Sequence, residues 1–261
     1  MQLTKLNPHS NGTRHYINIK KNLLSKTNKL DKQSIKGFKR FVGRSSINGR
    51  ITVRHKGSGC KKNFRELKIS DKPSNAIVVC VMHDPFRNAF VTLNFDLNNN
   101  CFFRTIATSF VGPGCLQVCN NTNVDLKLGN RTMLKNIPTG SILHSLSLMS
   151  SDSKLVRAAG SFFQIIQKSE KTCKVRLPSG IIKDININSF GTIGSVSNSQ
   201  HNLICIGKAG RNRLMGVRPS VRGIAMNPVD HPHGGRTNGG CPSVTPWGIP
   251  TKGKPTVSRK K

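Results

Sequence analysis

Only the middle of this 261-residue chain carries a periodic apolar pattern from which a core can be built, and there the period is two. Residues 76–82 form a continuous apolar run bounded by Pro73 and by Asp84-Pro85. Shorter runs at 90–95 and 102–106 are separated by Asn98-Asn99-Asn100. Short strands at this spacing, joined by turn residues and closed off by Gly112-Pro113-Gly114, predict a small antiparallel barrel or sandwich. A second block is expected at 141–149, 162–167, 172–177 and 181–187. There Cys173, Val175 and Leu177 alternate with Lys174 and Arg176, and Pro178-Ser179-Gly180 supplies a turn before Ile185 and Ile187 resume the alternation, which predicts a hairpin. No segment between 50 and 195 sustains a 3.6-residue apolar period, so the body is expected to be all-β in two units.

The flanks are a different kind of chain. Residues 1–75 hold 19 basic and 3 acidic side chains, residues 76–206 hold 12 and 6, and residues 207–261 hold 11 and 1. The net charge of +32 is therefore concentrated at the ends, as expected when cationic arms thread a phosphate-lined space and a near-neutral body anchors them. A membrane is a poor alternative, because no apolar run approaches the roughly 20 residues needed to span a bilayer and neither arm has an amphipathic stripe. Residues 1–45 read as an extended arm with one strand at 15–20. Residues 49–57 place β-branched side chains between cations ahead of a Gly57-Ser58-Gly59 turn, and predict a basic strand and loop. Beyond about residue 195 the core signal stops. From 207 onward the chain is rich in Gly, Pro and Arg and cannot bury enough apolar surface to order itself, so it should be disordered alone and fold only on a partner.

The most specific stretch is Gly216-Val217-Arg218-Pro219-Ser220-Val221-Arg222-Gly223-Ile224-Ala225-Met226-Asn227-Pro228-Val229-Asp230-His231-Pro232-His233-Gly234-Gly235. It resembles, almost residue for residue, the C-terminal signature of the L-two family of large-subunit ribosomal proteins. The resemblance extends to Val244-Thr245-Pro246-Trp247-Gly248, to Thr251-Lys252-Gly253-Lys254, to residues 49–59 and to Arg157-Ala158-Ala159-Gly160-Ser161-Phe162, and covers the chain from about Asn7. Cys60 departs from the family, where a histidine commonly follows the glycine pair. The resemblance implies an all-β fold of two small barrels, an OB-fold over 46–118 and an SH3-like barrel over 119–196. They would lie between a basic N-terminal arm, 1–45, and a basic Gly/Pro/Arg-rich C-terminal extension, 197–261. It implies a non-enzymatic, structural role in large-subunit assembly, subunit association and the architecture around the peptidyl-transferase centre. The implied partners are large-subunit ribosomal RNA, neighbouring ribosomal proteins and the small subunit, with no small-molecule substrate.

The residue chemistry points the same way. Arginine forks two donors onto phosphate, while glycine and proline let a main chain pass between closely spaced RNA strands. Arg211, Arg213, Arg218, Arg222 and Arg236 are spaced to meet successive phosphates. Arg50, Arg54, His55, Lys56, Lys61 and Lys62 around the glycine pair, with Arg157, Lys208, Asn227, Lys252 and Lys254, complete the expected cationic and polar contacts. Asp230-His231-Pro232-His233 invites an acid/base reading. In an extended segment, however, Asp230 and His231 project to opposite sides while His231 and His233 share a face, which favours RNA positioning over catalysis. Trp247, alone in a polar tail, is expected to stack on a base or dock on a neighbour. A free RNA-binding regulator and a histidine-dependent hydrolase are the rival readings.

Eight scattered cysteines, of which only Cys115 and Cys119 are close, fit a reducing compartment and offer no paired zinc ligands. No protein cofactor is expected; magnesium or potassium would accompany the RNA. Only two glutamates, Glu66 and Glu170, in a chain crowded with Asn, Lys and Ile suggest an A+T-rich organelle genome. The first residues already match the family's own arm, leaving little room for an import signal. A mitochondrial ribosome and a mitochondrion-encoded chain are expected, with plastid or bacterial origin as alternatives.

Overall fold

Strand pairing organises the chain in the computed structural model, which describes residues 3–20, 24–25, 36–38, 42–68, 73–120, 124–148, 153–236 and 241–253. Much of the N-terminal arm, Met149 and Lys254 lie outside these residues. The N-terminal strands are β1 (Leu3–Lys5), β2 (Ile17–Ile19), β3 (Lys36–Phe38) and β4 (Lys62–Phe64). The first block holds β5 (Ser74–Met82), β6 (Val91–Asp96), β7 (Cys101–Ile106) and β8 (Leu116–Asn120). The second holds β9 (Arg131–Met133), β10 (Ile142–His144), β11 (Leu146–Ser147), β12 (Ser153–Leu155), β13 (Phe163–Lys168), β14 (Thr172–Arg176), β15 (Ile182–Asn186) and β16 (Phe190–Ile193). One short helix, α1 (Ala209–Leu214), follows. The fold is all-β, as the period-two pattern predicts.

Ten strands pair in the order β15-β14-β13-β10-β16-β9-β8-β5-β6-β7. The two blocks meet in a short parallel pair, Cys119 opposite Arg131 on β8 and β9, and among the described residues no pairing closes either block into a barrel. β5 is paired on both edges, to β6 and β8. Its side chains are buried on both faces toward the C-terminal end, which is why it reads as an unbroken apolar run. The predicted hairpin is present with Thr172 opposite Asn186 and Arg176 opposite Ile182. Gly180 sits at φ +84° in its turn, where a side chain is disfavoured. Cys173, Val175 and Ile185 face a core of Leu134, Ile137, Leu143, Leu146, Phe163 and Ile165. A second core holds Ile19, Val78, Val81, Phe90 and Ala107.

Two expectations need correction. The run expected at 141–149 is interrupted at Ser145, whose φ is +51°, giving β10 and β11 in its place. Residues 49–57 form no strand; Ile51 and Lys56 make isolated bridges and the chain turns at His55, φ +59°. Gly57-Ser58-Gly59 is therefore not the turn.

By proximity the chain divides into two units, Met1–Lys39 with Cys60–Arg211, and Arg40–Gly59 with Asn212–Lys261. The first contains the whole ten-stranded sheet and β1 and β2, whose Ile17 pairs with Cys205. The second joins a short loop segment to the C-terminal tail.

Candidate nucleic-acid interface

The second unit is built from backbone pairing in place of an apolar core. Gly43 and His231 are its buried positions among the described residues, while Val42, Ile47, Ile51, Val53, Leu214, Val221, Ile224 and Val229 are exposed. Its seam is a close approach of two glycine-bearing segments. The Gly57 N–H donates to the Gly216 carbonyl at 2.8 Å and the Arg218 N–H to the His55 carbonyl at 3.0 Å. A Cβ on Gly216 (φ +91°) would lie 2.7 Å from the Gly57 oxygen, and one on Gly59 (φ +62°) 2.6 Å from the Leu214 oxygen. The glycines are therefore required for contact between main chains. Residues 55–57 thus supply the tail with main-chain hydrogen-bond partners. The absence of an apolar core in this unit remains as the composition implies.

The seam brings motifs far apart in sequence to one surface. A groove of about 450 Å³ is lined by Val42, Arg44, Ile51, Val53, Arg54, His55, Lys56, Arg218, Pro219, Val221, Met226 and Asp230. Arg44, Arg54, Lys56 and Arg218 give it four cations against the single carboxylate of Asp230. His55 Nδ1 is 3.1 Å from the Pro219 carbonyl, which makes that nitrogen the donor and leaves Nε2 as an acceptor on the neutral ring. Arg54 holds its guanidinium 4.8 Å from the centroid of Trp247, itself 72% exposed. One face of that ring is taken by a cation–π contact.

His231 is the most enclosed functional side chain, 8% exposed. A Cβ on Gly223 would meet its ring at 2.6 Å, so glycine is needed for the close approach. Its Nδ1 accepts the His233 N–H at 3.0 Å, which puts the proton of the neutral ring on Nε2. His233 lies alongside at 4.7 Å between ring centroids and its Nε2 donates to the Pro242 carbonyl at 2.7 Å. The two histidine rings do lie together, but through a turn closed by the Gly234 N–H on the His231 carbonyl at 2.8 Å and not through the alternation of an extended segment. Asp230 makes no side-chain hydrogen bond or ion pair among the described residues, so the carboxylate and imidazole are not assembled as an acid/base pair.

The other expected residues are distributed as follows. In the second unit, Arg50, Arg213, Arg222, Asn227, Arg236 and Lys252 are exposed. In the first, Lys61 and Lys208 are exposed, Lys62 on β4 and Arg157 are half-buried, and Arg211 holds its guanidinium 4.2 Å from the ring centroid of Tyr16. Lys254 lies outside the described residues. Sequence reasoning missed Arg44 and the apolar groove wall. Arg44 lies among β-branched and basic residues like those singled out nearby, but its place depends on its donation to the Gly49 carbonyl at 2.9 Å.

Also missed is a buried polar cluster in the first unit. His144 Nε2 lies 2.9 Å from Thr108 Oγ1 and Nδ1 2.9 Å from Ser145 Oγ, while Arg131 donates to the Ser145 carbonyl and to Thr192 Oγ1. Burial, reinforced by the Arg131 charge, lowers the His144 pKa to about 3. Among the described residues no group of three or more His, Cys, Asp or Glu could hold a metal ion, and no helix is long and apolar enough to cross a membrane.

Two family models match the chain: "Ribosomal Proteins L2, RNA binding N-terminal domain" over residues 31–111 and "Ribosomal Proteins L2, C-terminal domain" over 127–248. A curated relative, "Large ribosomal subunit protein uL2m" of Reclinomonas americana, is 42% identical over 268 residues, an alignment covering 100% of this chain and 95% of that protein.

Proposed function

Because the chain belongs to the ribosomal protein L2 family, we propose that it is a structural constituent of a mitochondrial large ribosomal subunit, holding large-subunit ribosomal RNA during translation. The observation that carries this reading is the groove of the second unit, where Arg44, Arg54, Lys56 and Arg218 converge from two segments beside a tail of exposed arginines. Clustered guanidinium and ammonium groups around an exposed main chain fit phosphate and ribose better than any small substrate. The sheet-rich body, in two strand blocks, fits an OB-fold followed by an SH3-like barrel.

The proposed RNA contacts are Arg50, Arg54, His55, Lys56, Lys61, Lys62, Arg157, Lys208, Arg211, Arg213, Arg218, Arg222, Asn227, Asp230, His231, His233, Arg236, Trp247, Lys252 and Lys254. In roles, 46–118 and 119–196 anchor the protein while 1–45 and 197–261 follow the RNA. The segment around His231 shapes RNA near the peptidyl-transferase centre. His231 supports that RNA and does no chemistry, since its Nδ1 is occupied by a backbone donor and no carboxylate among the described residues orients it. Contacts with the small subunit and synthesis inside the organelle belong to the same reading.

Protein–RNA crosslinking in isolated large subunits tests it. Adducts should map to Arg218, Arg222 and the 227–236 segment, and the chain should sediment with the large subunit in high salt. A chain recovered free of ribosomes, or crosslinked only through the neutral sheet faces, would overturn the assignment.

A further inference from the structure

Phe110 is 97% exposed, yet the loop that carries it is pinned on both sides. The Ser109 N–H donates to the Ser195 carbonyl at 2.8 Å and Ser109 Oγ to the Val196 carbonyl at 2.9 Å. Thr108 bridges to Val196 and holds His144, while Val111 packs against the core that contains Phe90. Phe110 itself sits at φ +66°, a conformation that favours glycine and disfavours a bulky aromatic. A firmly held loop therefore keeps backbone strain to aim an aromatic ring at solvent, and among the described residues nothing covers that ring.

Beside Phe110 lies a groove of about 420 Å³. Val81, Phe90 and Ala107 form its apolar floor, Ser109, Ser199 and Gln200 contribute to its polar rim, and among the described residues no charged side chain lines it. Its wall includes residues of β1 and β2, strands that carry Lys5 and end beside Lys20. A neutral slot with a flat ring at its mouth, set in a chain of net charge +32, matches a polyanion that bears apolar planar groups. A hydrophobic protein segment would gain nothing from Lys5 in β1 and Lys20 beside the end of β2.

We propose that this groove receives one unstacked base of the ribosomal RNA, with Phe110 stacked on its face and the rim hydroxyl and amide groups meeting its edge. The proposal rests on the ribosomal reading above, and adds to it a base-binding site in the body, away from the cationic tail sequence.

The test is the affinity of the full chain for a large-subunit ribosomal RNA transcript, measured across salt concentrations. Phe110→Ala should weaken binding about 5- to 100-fold at every salt concentration. The slope of log affinity against log salt should be unchanged, because no cation is removed. Phe110→Gly relieves the backbone strain and should lose the same affinity, which separates the missing ring from a disturbed loop; Phe110→Trp should restore it. Parental affinity in the alanine and glycine variants overturns the proposal while leaving the ribosomal reading intact. So does loss of a neighbouring protein from the particle without loss of RNA affinity, which would make the groove a protein dock. A parent chain that shows no salt-dependent RNA binding would instead refute the ribosomal reading itself.

Discussion

His144 shows how far a single enclosed side chain can tie stability to pH. Its folded pKa is lowered from 6.5 to about 3, so between these values the unfolded chain binds a proton that the folded chain refuses. The stability associated with the neutral ring is complete above about pH 6.5 and is lost progressively as pH falls toward 3, with a slope approaching about 1.4 kcal/mol per pH unit. His144→Gln keeps an amide able to reach Thr108 or Ser145 and removes the titration. Urea midpoints of the two proteins should therefore converge between pH 7 and pH 4.5 as the parent loses stability faster, and parallel lines would show that His144 does not set the slope. His231 makes a steric case. Gly223→Ala places a methyl group 2.6 Å from its ring, which must displace the imidazole and break the His233 N–H to Nδ1 bond. A cost of about 1–3 kcal/mol to local order is expected, read as faster proteolysis between 223 and 235 with the sheet unaffected. Neither residue's setting is written in its sequence neighbours. His144 sits in an ordinary alternating run, and the enclosure of His231 depends on a glycine eight residues upstream.

At the scale of elements, what was legible followed the period-two signal. β14 places its apolar residues in one phase and buries that phase alone, so local pattern and burial agree, and β5 was legible as an unbroken apolar run bounded by turn residues. β8, β9 and β16 escaped because their pairing is not advertised by alternation: Leu116 is exposed, and Arg131 and Thr132 are buried polar residues that find partners in Ser145, Thr192 and Asn136 of their own block. The basic segment 49–57 looked like a strand from its β-branched residues, but residues 52 and 53 turn their N–H groups onto the Gly43 carbonyl. The candidate groove was half legible for the same reason. The basic motifs that line it are evident singly, whereas their meeting depends on glycines that permit main-chain contact. A paired substitution separates these two uses of glycine. Gly180 (φ +84°) has open space around it, so Gly180→Ala should cost only the left-handed backbone penalty, about 1–2 kcal/mol, and leave the hairpin in place. Gly216→Ala adds to that penalty an overlap with the Gly57 oxygen at 2.7 Å. It should open the seam, exposing 40–59 and 212–253 to protease while the thermal transition of the sheet is retained.

For the whole molecule, the governing quantity is the number of phosphates the chain neutralises. A net charge of +32 opposes compaction of the free chain and is relieved only by a polyanion. The unit formed by Arg40–Gly59 and Asn212–Lys261 has no apolar core among its described residues, so its order depends on that same relief. Binding to ribosomal RNA should then follow counterion release, with log affinity falling against log salt at a slope on the order of −10 if some 10–15 phosphates are contacted. The tail arginines supply a defined share of this slope. Replacing Arg213, Arg218, Arg222 and Arg236 together by Gln removes four cations that are all exposed, and at about 0.7–0.9 per phosphate should flatten the slope by about 3. The loss of affinity should therefore be large in dilute salt and shrink as salt rises, whereas removal of an apolar contact produces a loss that is the same at every salt concentration. Filter binding of a large-subunit ribosomal RNA transcript from 50 to 400 mM potassium chloride, on the order of the range over which screening changes most, measures it directly. A quadruple variant that keeps the parental slope would mean that these arginines remain solvated in the complex, and that phosphate neutralisation is carried by the N-terminal cations instead.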